Sequence, residues 1–344
     1  MEISKGISVS KMQAVQVHQF GGAETLSFQD EVPVPTIGRE DILVRNRFSG
    51  VNFKDTLCRA GRYHGGNPTL PFVPGIEAAG TVVMVGDLVK DFKIGDKVAY
   101  MTGGMDSTTN DCYAEFTKVH KKSHIVSVPG DIPLDIACTL MVQGLTAHYL
   151  SNDCFPVKSG HSVLVHGAGG GLGQILVQLC KIKGAKVYGT AGSQGKLDAG
   201  YAMGADGMIN YRERDFCQEL QIYDTQGVDA VFDGIGKRTF LKGLDVLKTR
   251  GTMILYGNAC GEAPDHIHPN LLAQKGSLTL IRPSLYDYLR DQQEMQQRAS
   301  DLFSLYQAGK LTIKNLLKLP LNQAEDAHNL LLSRRFPGKI LFEI

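Results

Sequence analysis

The 344-residue sequence lacks the features that mark disulfide-stabilised, membrane-spanning or nucleic-acid-binding proteins. Its seven cysteines are odd in number and scattered, and no Cys-x-x-Cys pair occurs, which argues against a disulfide framework and a structural zinc site. No apolar run approaches the roughly 20 residues of a membrane helix, and the N-terminus has no apolar signal segment. A net charge of +1 indicates no cationic field for nucleic acid. We therefore expect a cytoplasmic protein with reduced thiols and no membrane or nucleic-acid partner.

Two patterns of apolar residues divide the chain. From Met12 to about Gly130, short apolar runs alternate with Gly, Pro and Asp turn signals, which predicts a β-barrel or a compact sandwich. From about Gly160 to Ile281, apolar strands alternate with helices, beginning with the strand SVLVHG and the helix LGQILVQLCKIKG. This second pattern predicts a doubly wound parallel sheet of six strands.

The end of the chain is predicted to return to the first region. A long helix is expected from Asp287 (DYLRDQQEMQQRASDLFSLYQAG), and the final apolar strand KILFEI lies outside the six-strand set. We therefore assign 12–143 and 310–344 to the β-rich domain and 144–309 to the nucleotide-binding domain. Residues 1–11 are expected to form a loose N-terminal tail.

A run of small residues, Gly167 to Gly171, follows the strand SVLVH and leads into a helix. Glycines let the chain turn tightly and let a pyrophosphate approach the backbone N–H groups at a helix N-terminus. Gly173 would let the helix pack closely on the strand. The bare pattern A-x-G-x-x-G is a weak signal, but here it stands between strand and helix in a repeated β–α unit, which predicts a dinucleotide site.

The end of the second strand of this region indicates which dinucleotide binds. An NAD site usually has Asp or Glu about 20 residues beyond the turn, to hold the ribose 2′-OH. This sequence has Thr190-Ala191-Gly192-Ser193 there, with Lys196 close by and Arg212 further on. A hydroxyl and a cation without a carboxylate suit a phosphate, so the sequence predicts NADPH.

Over nearly its whole length the sequence resembles the medium-chain dehydrogenase/reductase superfamily, and within it the zinc-independent quinone oxidoreductases, the group that includes zeta-crystallin. The resemblance is carried by SGVNFKDTLCRAGRY, PFVPGIEAAGTV, FKIGDKVAY, QGLTAHYL, HGAGGGLGQ, INYRERDF, LYGNACG and IRPSLYDYL. It implies an α/β protein in which a GroES-like β-barrel catalytic domain is joined to a Rossmann domain, with the active cleft between them. It also implies a homodimer that pairs around GTMILYG to SLTLI.

The zinc ligands of related alcohol dehydrogenases are missing from this sequence. The resemblance aligns Asn52, Ile76 and Gln143 with their Cys, His and Cys ligands, and isoleucine has no donor atom, so we expect no metal. Glu77 remains, and the cost of burying an unpaired carboxylate favours a structural role for it. Without a Lewis acid, the acceptor should delocalise charge by itself, as a quinone or an α,β-unsaturated carbonyl does.

The resemblance also implies which residues hold the cofactor. The nicotinamide half would be approached by Asn52, Phe53, Lys54, Asp55, Thr146 and Tyr149, and its ribose lined by Gly257, Asn258 and Ala259. The pyrophosphate would bind the N–H groups of Gly170, Gly171 and Leu172. The 2′-phosphate would be surrounded by Gly192, Ser193, Lys196 and Tyr211. From later segments, Arg282 and Arg334 would reach in.

For the chemistry, Tyr63 is the first candidate, because a phenol could hydrogen-bond the acceptor carbonyl or deliver a proton. Asn52 could orient the substrate or the carboxamide. The resulting hypothesis is an NADPH-dependent quinone oxidoreductase. Two alternatives stay open: an NADPH-dependent enoyl or alkenal double-bond reductase, and a non-catalytic NADPH-binding crystallin or RNA-binding protein.

Overall fold

The structure is a computed structural model that describes residues 10–63, 65–103 and 111–344. Its strands are β1 (Lys11–Val17), β2 (Leu26–Pro33), β3 (Asp41–Gly50), β4 (Glu77–Val85), β5 (Lys97–Met101), β6 (Phe116–His120), β7 (His124–Ser127), β8 (Ser162–His166), β9 (Lys186–Ala191), β10 (Gly207–Asn210), β11 (Val228–Asp233), β12 (Leu247–Leu255), β13 (Thr279–Ile281), β14 (Leu316–Pro320) and β15 (Lys339–Glu343). Residues 1–9 of the predicted tail lie outside the described residues, and β1 begins at Lys11, one residue before the predicted domain start.

The helices of the described residues follow the same order. They are α1 (Phe53–Arg59), α2 (Leu134–Thr139), α3 (Leu145–Tyr149), α4 (Gly171–Ile182), α5 (Gln194–Ala202), α6 (Phe216–Tyr223), α7 (Lys237–Asp245), α8 (Asn270–Gln274), α9 (Gln292–Gln307) and α10 (Ala324–Ser333). None of them has both the length and the apolar character that crossing a bilayer requires.

The second half of the chain forms the predicted parallel sheet of six strands, in the order β10-β9-β8-β11-β12-β13. Every residue of β8 is buried, as expected for a strand covered by helices on both faces. The strand order reverses between β8 and β11, and in such sheets ligands bind beyond the carboxyl ends of the strands at this reversal. The glycine turn follows β8 at this point, so the fold places it at the expected ligand position.

The first half of the chain and its last strand form a second sheet. Its order is β14-β15-β3-β4-β5-β7, with β6 paired to β3, while β1 and β2 form a separate antiparallel pair. The final strand β15 is antiparallel to β3, with Leu341 opposite Gly50. The chain therefore returns to the first region, as KILFEI predicted.

One helical segment connects the two sheets. From Leu134 to Cys154 the chain runs through α2, a π-helical turn at Leu140–Gly144, α3 and a second π-helical turn at Leu150–Cys154. A single apolar core includes Phe48 of the first sheet and Val163 of the second, so the sheets pack as one body around this segment. The division at residue 144 that we propose thus falls inside a helical segment and not in a linker.

The predicted helix from Asp287 begins later than expected. Residues Leu285–Tyr288 form a short 3-10 turn, and α9 begins at Gln292. The carboxylate of Asp291 accepts a hydrogen bond from the N–H of Glu294 at 2.8 Å. A side chain that caps a helix in this way sets where the helix starts, which a pattern of apolar spacing does not reveal.

Candidate active site

The glycine turn after β8 is built by close backbone approaches. Gly167 has φ +72°, and the N–H of Gly170 donates to its carbonyl oxygen at 2.9 Å. A Cβ at Gly169 would lie 2.1 Å from the carbonyl oxygen of Lys196, and one at Gly173 would lie 2.3 Å from the carbonyl oxygen of Gly167. Side chains at these positions would collide with backbone, so the turn requires its glycines.

One residue predicted to bind the pyrophosphate, Gly170, donates its N–H inside the turn, to the carbonyl oxygen of Gly167. Gly170 directly precedes α4, and its contact with the pyrophosphate stays a prediction. Gly171 and Leu172 begin α4, and first-turn amides have no partner within their helix.

The side-chain oxygen of Gln143 is buried without a hydrogen-bond partner among the described residues, and a Cβ at Gly171 would lie 2.3 Å from it. Gln143 therefore borders this anion site; the sequence had marked it only as a missing zinc ligand.

Three cationic side chains, Lys196, Arg212 and Arg334, lie near one another at the start of α5, beyond the glycine turn. Ser193 precedes α5, and its hydroxyl does not cap the helix. Lys196 is half-buried, and both burial and the charges of Arg334 and Arg212 lower its pKa. A Cβ at Gly192 would lie 2.4 Å from the hydroxyl of Tyr211, so this side of the site is also close-packed.

Tyr211, Arg212 and Arg334 border a cleft of about 590 Å³, whose lining also includes Arg238 and the acidic residue Glu213. Lys196 lies close enough to Arg212 and Arg334 for their charges to lower its pKa, and within the described residues none of these three cations forms a salt bridge with a carboxylate. An anion between them would relieve the repulsion, so the cluster fits a phosphate.

A buried ion pair contacts Asn52, which the resemblance aligns with one of the zinc ligands of related alcohol dehydrogenases. Lys339 donates to the side-chain carboxylate of Glu77, to Asn52 Oδ1 at 2.9 Å and to the carbonyl oxygen of Val51 at 3.0 Å. The other oxygen of Glu77 accepts the N–H of Val142 at 2.7 Å. Glu77 is 0% and Lys339 1% exposed, so the pair is fully desolvated but completely hydrogen-bonded.

This ion pair engages the side chain of Asn52. Its Nδ2 donates to Glu77 Oε1 at 2.7 Å and to the carbonyl oxygen of Gly50 at 3.3 Å, and its Oδ1 accepts from Lys339. The backbone N–H of Asn52 donates to Asp55 at 2.8 Å and so begins α1. In this structure Asn52 thus joins the ion pair to α1, and its predicted contact with the substrate or the carboxamide stays a prediction. Lys339 was not predicted as a site residue, although a lysine at the start of the apolar strand KILFE was a signal.

Asp55 lies in a second buried network. Its Oδ2 accepts from the Tyr113 hydroxyl at 3.0 Å, its Oδ1 has no partner in the described chain, and burial raises its pKa to about 7. The Tyr113 oxygen is also 3.1 Å from Nε2 of His328, whose pKa burial lowers to about 3. These contacts hold α1 against α10 and fix the direction of its first turn.

Two tyrosine rings lie beside Lys54 of α1. The ammonium of Lys54 lies 4.8 Å from the ring centroid of Tyr63 and 5.1 Å from that of Tyr286. Burial raises the pKa of Tyr63, while the charge of Arg282 acts in the opposite direction. Tyr149 stacks on Tyr288 with centroids 4.4 Å apart. The catalytic role of Tyr63 stays a prediction.

The remaining predicted residues lie on helices and loops of both halves of the chain. Phe53 and Thr146 lie on α1 and α3. Beyond β12, the N–H of Gly257 donates to the carbonyl oxygen of Asp233 at 3.3 Å, Asn258 follows, and the N–H of Ala259 donates to that of Gly234 at 2.9 Å. Arg334, in the left-handed region with φ +57°, donates to the carbonyl oxygen of Ala259. The C-terminal segment is thus tied to the loop that is predicted to line the nicotinamide ribose.

Comparisons with known proteins cover both sheets. The family model for the alcohol dehydrogenase GroES-like domain matches residues 38–151, and the model for zinc-binding dehydrogenase matches residues 171–304. Quinone oxidoreductase 1 of Escherichia coli K12 is 35% identical over 332 residues, which cover 95% of this chain and 98% of that protein. A 2-haloacrylate reductase of Burkholderia sp. is 34% identical over 336 residues, which cover 96% and 98%. A crystal structure of E. coli quinone oxidoreductase complexed with NADPH superposes with a TM-score of 0.88 at 33% identity, covering 96% of this chain and 100% of that one.

Proposed function

The chain belongs to the quinone oxidoreductase family of the medium-chain dehydrogenase/reductase superfamily, and we propose that it reduces quinones with NADPH. The observation that carries this proposal is the Glu77–Lys339 ion pair. It hydrogen-bonds Asn52, one of the three residues that the resemblance aligns with the metal ligands of related alcohol dehydrogenases, and a second, Ile76, has no donor atom, so these positions offer no metal-bound Lewis acid. A quinone needs none, because it delocalises the added charge itself.

NADPH, when bound, supplies the hydride, and the chain supplies its binding and orientation. In this proposal the amides of Gly171 and Leu172 hold the pyrophosphate at the N-terminus of α4. Ser193, Lys196 and Tyr211 hold the 2′-phosphate. The nicotinamide lies in the cleft beside α1, where Asn52 and Asp55 set the direction of the helix and Tyr63 forms one wall.

The Lys196→Ala variant tests the cofactor assignment. We expect its dissociation constant for NADPH to rise about tenfold or more, because a hydrogen bond to a charged group contributes roughly 1.5–3 kcal/mol. NADH lacks the 2′-phosphate, so its affinity should be nearly unchanged. Isothermal titration of both cofactors measures this, with the exposed Lys310→Ala as the matched control. Equal losses for the two cofactors would contradict the assignment of the 2′-phosphate site.

A substrate screen tests the reaction. We expect rapid NADPH oxidation with 1,4-benzoquinone and phenanthrenequinone. A protein that binds NADPH but turns over no quinone would overturn the proposal. The second candidate is a double-bond reductase, favoured by the match to a 2-haloacrylate reductase. Measuring 2-alkenals, enoyl thioesters and 2-haloacrylate beside the quinones ranks the two by kcat/KM.

We further propose a homodimer that works in the cytoplasm. β13 is the edge strand of the parallel sheet, so its outer backbone groups are available for pairing with a second copy. The seven cysteines, all within the described residues, form no disulfide, which suits a reducing compartment. Light scattering of the purified protein gives the mass that decides the oligomeric state.

A further inference from the structure

Lys54 has an unusual position for a lysine. It is the second residue of α1, and its Nζ is buried with no hydrogen-bond partner among the described residues. Burial lowers its pKa. Most buried cations are paired with a carboxylate, because an isolated charge is costly to remove from water. Within the described residues the Lys54 ammonium has no such pair, so its N–H groups are available there to a bound ligand.

The groups around Lys54 do not neutralise it. From its own helix it faces Asp55 and Cys58, which favour its charged form. The Oδ2 of Asp55 is turned to Asn52 and Tyr113, and no salt bridge joins Asp55 to Lys54. From the loop after α1 and the turn before α9, Tyr63 and Tyr286 present their rings. These rings provide cation–π attraction but no acceptor for the N–H groups.

A second cation lies near Lys54, Tyr63 and Tyr286, the three side chains that form the candidate acceptor pocket. Arg282 follows β13, and its charge acts on both Tyr63 and Tyr149. The aromatic walls suit a planar ligand, and Lys54 and Arg282 suit a ligand that carries or acquires negative charge. The pocket therefore matches an acceptor whose oxygen becomes an anion during the reaction.

We infer that Lys54 binds the oxygen of the acceptor on which negative charge forms, and donates the proton that completes the reduction. This inference rests on the proposed function. The hydride brings two electrons to the quinone, and one quinone oxygen becomes a phenolate. An N–H bond of Lys54 then breaks as the O–H bond of the hydroquinone forms. Lys54 is left as a neutral amine and regains a proton from solvent, so NADPH, one proton and the quinone yield NADP⁺ and the hydroquinone.

Tyr63 is a weaker proton donor than Lys54 in this setting. Burial raises the pKa of the Tyr63 phenol, whereas it lowers the pKa of the Lys54 ammonium. A proton donor works best when its pKa is near the working pH, which favours Lys54. Tyr63 is then a positioning residue, because its ring holds the ammonium and forms a wall of the pocket.

The first experiment measures the charge preference of the pocket without turnover. In the presence of NADP⁺, 4-nitrophenol serves as the probe, because its phenolate absorbs visible light and reports its own ionisation. We expect the wild-type protein to bind the phenolate at least tenfold more tightly than the phenol. Lys54→Arg should keep this preference and Lys54→Met should lose it. A wild type that fails to bind the phenolate preferentially overturns the inference, as does a Lys54→Met variant that keeps the preference.

The second experiment measures the proton transfer. With a quinone acceptor, wild-type kcat should fall as the pH rises through the lowered pKa of Lys54, because the amine then has no proton to give. Lys54→Met should reduce kcat at saturating NADPH by about 10²–10⁴-fold and lose this alkaline limb. Because methionine replaces an unpaired buried charge, the variant should unfold at or above the wild-type temperature. A folded Lys54→Met variant with wild-type kcat and pH profile contradicts the inference, whereas a wild type that reduces no quinone contradicts the proposed function.

Discussion

Replacing Lys339 by methionine is expected to lower the free energy of unfolding by about 3–5 kcal/mol, the usual cost of leaving one partner of a buried ion pair unpaired. Glu77 would still accept hydrogen bonds from the side chain of Asn52 and the backbone N–H of Val142. It would lose the only cation that contacts it in the described chain. Both side chains are fully buried, so water cannot replace the missing partner. Urea unfolding monitored by circular dichroism measures the change.

Two further variants show whether the loss of stability comes from leaving the Glu77 carboxylate without a cation. The double variant Glu77→Gln, Lys339→Met should recover much of the lost stability, because it removes both charges while keeping hydrogen-bonding atoms at residue 77. Lys11→Met, which breaks an exposed pair with Glu31, should change stability by less than about 1 kcal/mol. If Lys339→Met unfolds at the same urea concentration as Lys11→Met, the buried pair does not stabilise the fold as we describe.

Gly173→Ala is expected to destabilise the nucleotide-binding sheet by about 3 kcal/mol and to weaken NADPH binding at least tenfold. Its Cβ would lie 2.3 Å from the carbonyl oxygen of Gly167 and 2.7 Å from Cα of Ala168. Both obstacles are backbone atoms, so α4 must move away from β8. That movement displaces the first-turn amides of Gly171 and Leu172 from the pyrophosphate position. Unfolding curves and NADPH titrations measure the two effects.

Gly195→Ala is the matched control for this substitution. Gly195 also lies in the first turn of a helix, α5, but no heavy atom lies within 4 Å of the position of its Cβ. Alanine there should leave the free energy of unfolding unchanged or raise it by up to about 1 kcal/mol, because it restricts the unfolded chain. If both alanine variants have the same stability, close packing of α4 on β8 is not the reason for glycine at position 173.

The nucleotide-binding half could be predicted in detail because its signals are local. The strand SVLVH, the glycine run and the apolar spacing of α4 are consecutive in the chain, and backbone preferences within that stretch are enough to form the unit. The absence of a carboxylate after β9 is also read directly from the sequence, and the structure surrounds that position with Lys196, Arg212 and Arg334. The hydrogen bond of the Gly170 N–H inside the turn was not predicted, because such a bond cannot be recognised from the residue type.

By itself, the sequence determined the parallel sheet, the dinucleotide turn with its cation, and the absence of zinc ligands at Asn52, Ile76 and Gln143. Only the tertiary structure showed the buried ion pair that contacts Asn52. Lys339 reaches Glu77 across 262 positions because β15 pairs with β3, and Lys54 meets Tyr286 because the turn before α9 packs against α1. Local preferences shape consecutive residues, whereas the partner of a buried charge depends on which distant segments pack together and in which register.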